Sequence, residues 1–502
     1  MKILVVGGGG REHAIVWKLS QSPYAPKIYC APGNGGIAAL AECIGIKADD
    51  VGGICAFAVD NRIDLVVIGP DDPLALGLAD ACEAAGIRAF GPCKAAARLE
   101  WSKSYAKDLM TKYGVPTAGY LVCNSADDAL AALDLYDASG AFCVLGAAGP
   151  TANTYVTDVT DGSGPPAGAP GSQAAAGPPC PGRYPLVVKA DGLALGKGVL
   201  IAADRTAAEA AIRSIMLDKA FGEAGSRIVL EQFLSGPEMT ILAFTDGKVI
   251  KPMLCSQDHK RAFDGDLGPN TGGMGAFAPT PLCTEPIRRE CEEKIFGPTL
   301  EMLQQEHIDY RGVLYFGLML TEGGVKVIEY NSRFGDPETQ VILPLMQNDL
   351  IDVFDAVIDG KLDGIDLKWK NQYCACVVAA SGGYPDSYGR GYEISINNDI
   401  TQPQASPQPK QQQQPPPQHI MHTMMFHAGT ALQASEAQPH AGTALKASAD
   451  GRKLVTSGGR VLGVTALGDT LAESFERAYA GIACVSFKNM YYRKDIGKAY
   501  RE

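Results

Sequence analysis

The chain lacks the features that would tie it to nucleic acid or to a membrane. Acidic residues outnumber basic ones, 56 to 44, and the net charge is −12. A nucleic-acid-binding protein usually carries a basic footprint, and none is present. No apolar run reaches the ~18 residues that a membrane span requires. The N-terminus enters a strand-like run, Met1–Val6, with neither a signal peptide nor an Arg/Ser-rich transit segment. A cytoplasmic protein is expected, or an organellar one if a presequence is missing from this chain. The 14 cysteines form no CxxC pair; the nearest approach, Cys374-Ala375-Cys376, lies in an apolar run that reads as a strand. Buried free thiols in a reducing compartment are therefore expected.

What is present is the composition of a globular enzyme. Over 502 residues, 46% are hydrophobic and 20% charged. That length suggests three domains and a core large enough to need no staple. Strand-like runs at Ile3–Val6, Lys27–Cys30, Leu65–Ile68 and Ile87–Phe90 alternate with helical stretches, and each ends in Gly, Pro, Asn or Asp. This βαβ rhythm predicts a parallel sheet with helices on both faces, and ligands at the carboxyl ends of its strands. The expected segments are 1–100, 101–364 and 365–502. Low-complexity insertions are expected at about 146–183 and 397–449, where apolar periodicity disappears. The second tract repeats His-Ala-Gly-Thr-Ala-Leu at 427–432 and 440–445. The copy at His440, which runs directly into Asp450-Gly451-Arg452, is expected to be the one in the fold, so that deleting Gln404–Pro439 would leave folding intact.

Gly7-Gly8-Gly9-Gly10 closes the first strand and opens a helix, an arrangement that lets backbone approach an anion. A dinucleotide site would want a carboxylate at the end of the second strand. That strand ends Cys30-Ala31-Pro32, so a phosphate or sugar-phosphate site is favoured, with a ligand-free tight turn as the alternative. More specific is Val187-Val188-Lys189-Ala190-Asp191-Gly192-Leu193-Ala194-Leu195-Gly196-Lys197-Gly198. A strand delivers one lysine, and a glycine-rich hairpin carries another that can close over a triphosphate. It is not a Walker A loop, because Gly198 stands where Ser or Thr is required. Further on, Glu329 and Asn331 are two apart in a strand and so share a face. A carboxylate and an amide oxygen suit Mg²⁺, which leaves its other positions to water and phosphate. Arg333 continues the alternation; its planar guanidinium suits an acyl phosphate or an oxyanion, or else an ion pair with Asp336 or Glu338.

The hairpin around Lys197 resembles the phosphate-covering loop of the ATP-grasp fold. Gly7–Ala14, Gln257–Arg261, Gly268–Gly275, Asn331–Gln340, Gly458–Val464 and Tyr492–Gly497 resemble, in order, motifs of the phosphoribosylamine–glycine ligase family within it. The resemblance covers nearly the whole chain outside the two low-complexity tracts. It implies an α/β fold, α+β in part: an N-terminal parallel-sheet substrate-binding domain, a two-lobed ATP-grasp domain and a small C-terminal mixed β domain. It implies a ligase that joins glycine to 5-phosphoribosylamine through a glycyl phosphate, with ATP and Mg²⁺ (or Mn²⁺), in purine biosynthesis. Nucleotide contacts would come from Lys103, Lys189, Gly192, Gly196, Gly198, Glu231, Phe233, Leu234 and Glu238. Metal ligands would be Glu329 and Asn331, and catalytic residues Arg333, Lys197 and Asp336. Gly9, Arg11, Gly33, Asn34, Asp71, Asn270 and Gly273 would hold substrate. Asp71 stands where the family has Glu, and Gln232 where it often has a second Glu. Partners would be small molecules, with no nucleic acid or membrane, and the protein a monomer or homodimer. The alternatives are an ATP-grasp ligase with another acid or amine, an inactive nucleotide-binding relative, and a larger multifunctional polypeptide. The last would need downstream domains, and none is expected.

Overall fold

The computed structural model describes residues 1–139, 184–194, 198–397, 423–434 and 452–501. The expected insertion at 146–183, Gly196, Lys197 and the His440 copy lie outside them. By contacts the chain forms two compact units: residues 1–98, 238–318 and 330–502, and residues 99–237 with 319–329.

The first unit opens with the anticipated parallel sheet. Its order is Glu42–Cys43, Lys27–Pro32, Lys2–Gly7, Leu65–Ile68, Arg88–Phe90, with Ile3 opposite both Ile28 and Leu65. Ile3, Leu4, Val5 and Val6 are fully buried, as continuous apolar runs in a two-face-covered sheet require. The same unit holds a six-stranded antiparallel sheet. Tyr373–Ser381 and Arg460–Gly468 pair at its centre, flanked by Gly275–Ala278 and Thr423–His427. Helix Leu471–Ile482 buries Leu471, Phe475, Ala478 and Ile482, a 3–4 spacing that forms one apolar stripe. Thr470 caps it by accepting from the Glu473 amide.

In the second unit, strands Tyr120–Cys123, Ile228–Gln232, Leu186–Ala190 and Val199–Ala202 form an antiparallel sheet in that order. Its own core includes Leu121, Leu133, Tyr136, Val188, Ile212 and Leu230.

Two expectations fail in the first unit. The low-complexity tract is not uniformly without structure: Thr423–His427 lies in the six-stranded sheet, and Thr430–Ala434 pairs with Arg452–Thr456. The copy of the hexapeptide described in that sheet is the one at His427, where the expectation named His440; the His440 copy lies outside the described residues. The residues upstream explain the choice. Phe426 is buried against His13 and Trp17, so the residues before His427 carry an aromatic anchor into the sheet. The second failure concerns the thiols, because Cys255 and Cys283 are disulfide-bonded. The Thr280 amide donates to the Cys255 carbonyl at 3.0 Å, which draws together segments 28 residues apart. The ten other cysteines among the described residues form no disulfide.

Candidate functional site

In the second unit, Ser102 caps helix Lys103–Lys112, and the helix presents Lys103 and Lys107 four residues apart on one face. Strand Leu186–Ala190 contributes Lys189, and strand Ile228–Gln232 contributes Glu231. Glu231 Oε2 lies 3.0 Å from Lys107 Nζ and 2.9 Å from Lys189 Nζ, with all three side chains at most 5% exposed. Burial pushes the Glu231 carboxyl up, but the two lysines outweigh it and hold it below the ordinary range. Burial and the neighbouring Lys189 lower Lys107 to about 8 against the pull of Glu231. Lys103, lowered by burial, also faces Lys189, with Glu329 raising it. Lys107 and Lys189 thus share one buried carboxylate whose Oε1 has no hydrogen-bond partner among the described residues, and Lys103 stands beside Lys189 with Glu329, Asp191 and Glu100 nearby. Ammonium groups held in such a low-dielectric setting pair strongly with phosphate oxygens that reach them.

Lys103 Nζ donates to the Gly192 carbonyl at 3.3 Å, at the start of the glycine-rich hairpin. A Cβ on Gly192 would come within 2.9 Å of Ala224, and one on Gly198 within 2.6 Å of Ala194. The Asp191 carboxylate anchors the base of this hairpin by accepting from the Ser104 amide and hydroxyl at 2.6 and 2.9 Å. After Gln232 the chain runs outward: Phe233 is 36% exposed and Leu234 half-buried.

Glu329 and Asn331 are both half-buried on strand Gly324–Asn331, as the alternation predicts. Among the described residues, no group of three or more His, Cys, Asp or Glu is placed to hold a metal ion. A two-oxygen donor set is what Mg²⁺ takes when phosphate and water fill its remaining positions, so these residues fit the expected ion.

In the first unit Gly9, Arg11 and Gly273 lie close to Asp336, and Gly33 and Asn34 lie against Gly7 and Gly8, while Asp71 and Asn270 are not drawn into this group. The glycine loop there has a more local use than anticipated. Glu12 folds back so that its carboxylate accepts the Gly9 amide at 2.6 Å, and a Cβ on Gly7 or Gly69 would collide with it at 2.5 and 2.2 Å. Glycine is needed here to house Glu12 as well as to expose backbone. Arg11 is buried; its Nε pairs with Glu12 at 2.5 Å and its Nη1 donates to the Phe334 carbonyl at 3.1 Å. Gly33 adopts φ +72° and donates to the Gly7 carbonyl at 3.1 Å. Asn34 Nδ2 donates to the carbonyls of Gly8 (3.0 Å) and His427 (2.7 Å), while its Oδ1 accepts the Gly36 and Ile37 amides. Asp71 stands in the first turn of helix Asp71–Leu76.

The Asp336 carboxylate, though buried, is held below the ordinary range by Arg460 and Arg11. Gln340 donates to it at 2.7 Å. Arg333, by contrast, donates to the Phe334 carbonyl at 3.2 Å. Asn270 ends a short strand paired to Arg261, and Gly273 adopts φ +109° with its Cβ position 2.5 Å from Pro337.

Three features went unread in the sequence. Lys107 is the first; its i,i+4 spacing from Lys103 was the available signal. The second is a network in which Lys260 lies 2.7 Å from Glu238 and 3.1 Å from Asp258. Beside it, Tyr315 donates to Glu338 at 3.0 Å, and burial with Asp258 raises Glu338 to about 7 against the pull of Lys260. Arg460 is the third.

The chain matches three domains of phosphoribosylglycinamide synthetase: the N domain over residues 1–100, the ATP-grasp (A) domain over 180–339 and the C domain over 374–499. It is 40% identical over 500 residues to a phosphoribosylamine–glycine ligase of Caldanaerobacter subterraneus, covering all of both chains. A ligase of the same name from a Nostoc species is 40% identical over 501 residues, covering 99% of each. The crystal structure of the Thermotoga maritima phosphoribosylamine–glycine ligase superposes with a TM-score of 0.72 at 28% identity, over 99% of this chain and 100% of that one. A biotin carboxylase from Campylobacter jejuni shares the fold at 13% identity, with a TM-score of 0.62 over 99% and 97% of the two chains. The chain belongs to the phosphoribosylglycinamide synthetase family, and its central domain is an ATP-grasp domain that binds ATP.

Proposed function

We propose that this chain is the ATP-dependent ligase that joins glycine to 5-phosphoribosylamine, producing glycinamide ribonucleotide, ADP and phosphate in purine biosynthesis. The observation that carries the nucleotide half of this reading is the buried pairing of Lys107 and Lys189 with Glu231, with Lys103 beside Lys189 at the base of the glycine-rich hairpin. Matches to all three family domains carry the substrate half.

A carboxylate is a poor acylating agent. One oxygen of glycine attacks the γ-phosphorus of ATP, the bond to ADP breaks, and glycyl phosphate forms. The amine of phosphoribosylamine then attacks the acyl carbon, sheds a proton, and inorganic phosphate leaves. No covalent link to the protein is needed, so catalysis is positioning and charge neutralisation. Lys103 and Lys189 would neutralise phosphate oxygens, with Gly192, Gly196, Lys197 and Gly198 forming a cover that excludes water from the acyl phosphate. Glu231, Phe233 and Leu234 would frame adenine, and the Glu238 oxygen not paired to Lys260 would take a ribose hydroxyl. Glu329 and Asn331 would hold Mg²⁺ (or Mn²⁺), which when bound offsets phosphate charge. Arg333 would stabilise the oxyanion at the acyl carbon. Phosphoribosylamine would be held by Gly9, Arg11, Gly33, Asn34 and Asp71. Asn270, Gly273 and Asp336 would complete the substrate side.

The test is ADP release with Mg-ATP, with and without phosphoribosylamine, across glycine and a panel of other amino acids. ADP formation that needs both glycine and phosphoribosylamine is the expected result. Turnover with another acid would keep the ATP-grasp chemistry and overturn the substrates.

A further inference from the structure

The motif Gly458-Gly459-Arg460 has no part in the chemistry above, yet its arginine contacts two of the loops assigned to substrate and, through Asp336, reaches a third. Arg460 begins strand Arg460–Gly468 of the six-stranded sheet. Its Nη1 donates to the carbonyls of Gly272 at 2.6 Å, Asp336 at 2.8 Å and Gly273 at 3.4 Å. Its Nη2 lies 3.3 Å from the Asp336 carboxylate, and the side chain is 20% exposed. That carboxylate in turn abuts the glycine loop: a Cβ on Gly9 or Gly10 would lie 3.4 or 3.7 Å from its oxygens. Arg11 and Gln340 bear on the same group. A Cβ on Gly272 would come within 3.0 Å of the guanidinium, so the loop is laid directly on it.

We propose that Arg460 is a positioning residue for the ligation, tying the Gly272–Gly273 loop and Asp336 into one arrangement that presents the two substrates to each other. The inference rests on the reading that Gly9, Arg11, Asn270 and Gly273 belong to the glycine and phosphoribosylamine side. The chemistry asks for arginine. A flat fork with fixed donors serves carbonyl and carboxylate acceptors at once, whereas an ammonium is a single point charge. The hydrogen bonds of Arg460 go to Gly272, Gly273 and Asp336, none of which is assigned to the nucleotide, so the KM for ATP serves as the control.

The experiment compares the full-length enzyme with Arg460→Ala and Arg460→Lys. It measures kcat, KM for each of the three substrates, thermal midpoint, and activity with added guanidinium. The expected result is a fall in kcat/KM for phosphoribosylamine of roughly 100-fold in the alanine variant, the size of effect that small misplacement produces. KM for ATP stays within about twofold of wild type, as for an interaction absent from nucleotide binding. Guanidinium restores part of the lost rate to the alanine variant and none to the wild type. Unchanged kcat/KM in Arg460→Ala overturns the proposal. So does a parallel loss toward all three substrates, tracking the thermal midpoint and without rescue, because that is the signature of a structural arginine. If the alanine variant does not fold, Arg460→Lys decides: wild-type kcat/KM overturns the proposal, and a selective loss on the phosphoribosylamine side supports it. A wild-type enzyme that uses a different acid or amine refutes the substrate reading instead, and the Arg460 comparison is then read with the substrates it accepts.

Discussion

Glu231→Gln is the sharpest probe of the lysine cluster, because it removes one charge and almost no volume. In the native protein the Glu231 carboxylate is the shared acceptor of Lys107 and Lys189 at 3.0 and 2.9 Å, in surroundings that exclude water. Glutamine leaves two buried ammonium groups without their counter-ion. Breaking a buried pair costs about 3–5 kcal/mol, and the remaining amide oxygen still accepts one bond, so about 3 kcal/mol is expected. With a urea dependence of about 2–3 kcal/mol per M, the unfolding midpoint of the affected unit falls by about 1 M. The loss also depends on pH. Lys107 sits at about 8 in the folded protein against 10.5 ordinarily. Between those values the unfolded chain binds more protons than the folded one, so its contribution to stability increases as pH rises through that window. Without Glu231 the folded value drops further, and the rise begins at lower pH. The assay is urea unfolding of both proteins between pH 6.5 and 9.5, with and without Mg-ATP. The gap should narrow as pH rises, and again when triphosphate supplies the missing negative charge. Equal midpoints near neutrality, or a gap indifferent to both pH and nucleotide, would refute the electrostatic account of this cluster.

Glu329→Gln removes the only charged donor of the proposed metal pair; the Mg²⁺ concentration for half-maximal turnover should increase by at least about tenfold, read by titration, while the circular dichroism spectrum is unchanged. An unaltered Mg²⁺ requirement would remove Glu329 from the metal site. Burial lowers His13 to about 3 and His427 to about 4, while the ordinary value is 6.5. Between about 4 and 6.5 the unfolded chain therefore binds the extra protons, and stability falls as pH drops through that range. His427→Gln should flatten this acid-side slope in thermal unfolding, and an identical slope would show that the pair does not titrate as buried histidines must.

Much of the fold was legible because its strands are continuous apolar runs stopped by glycine and proline. Lys2–Gly7 and Leu65–Ile68 differ from the runs visible in the sequence by a residue at each end or not at all. The nucleotide side was legible for a similar reason, since Lys189 and the glycines after it lie close together in the chain. Lys107 lies outside every motif, and only its helical spacing from Lys103 marks it as sharing that face. The His427 segment was misjudged because the repeated hexapeptide was weighed by the residues C-terminal to each copy. The residues N-terminal to it decide the matter. Thr423-Met424-Met425-Phe426 pairs with strand Arg460–Gly468 and buries an aromatic ring, and Glu436-Ala437-Gln438-Pro439 has no aromatic ring to bury.

Arg460 marks a different kind of limit. Its hydrogen-bond acceptors include three backbone carbonyls, at Gly272, Gly273 and Asp336, and a carbonyl leaves no trace in residue identity. The glycines at 272 and 273 read as loop flexibility, yet a Cβ on Gly273 would collide with Pro337 and one on Gly272 would press on the Arg460 guanidinium. Gly7 and Gly69 make the same point around Glu12. In both places glycine is required by a close approach from another segment, and the loop is held rather than loose. A glycine-rich motif in this chain therefore states where backbone must be bare; whether ligand or protein fills that space depends on residues that can lie far away in the sequence.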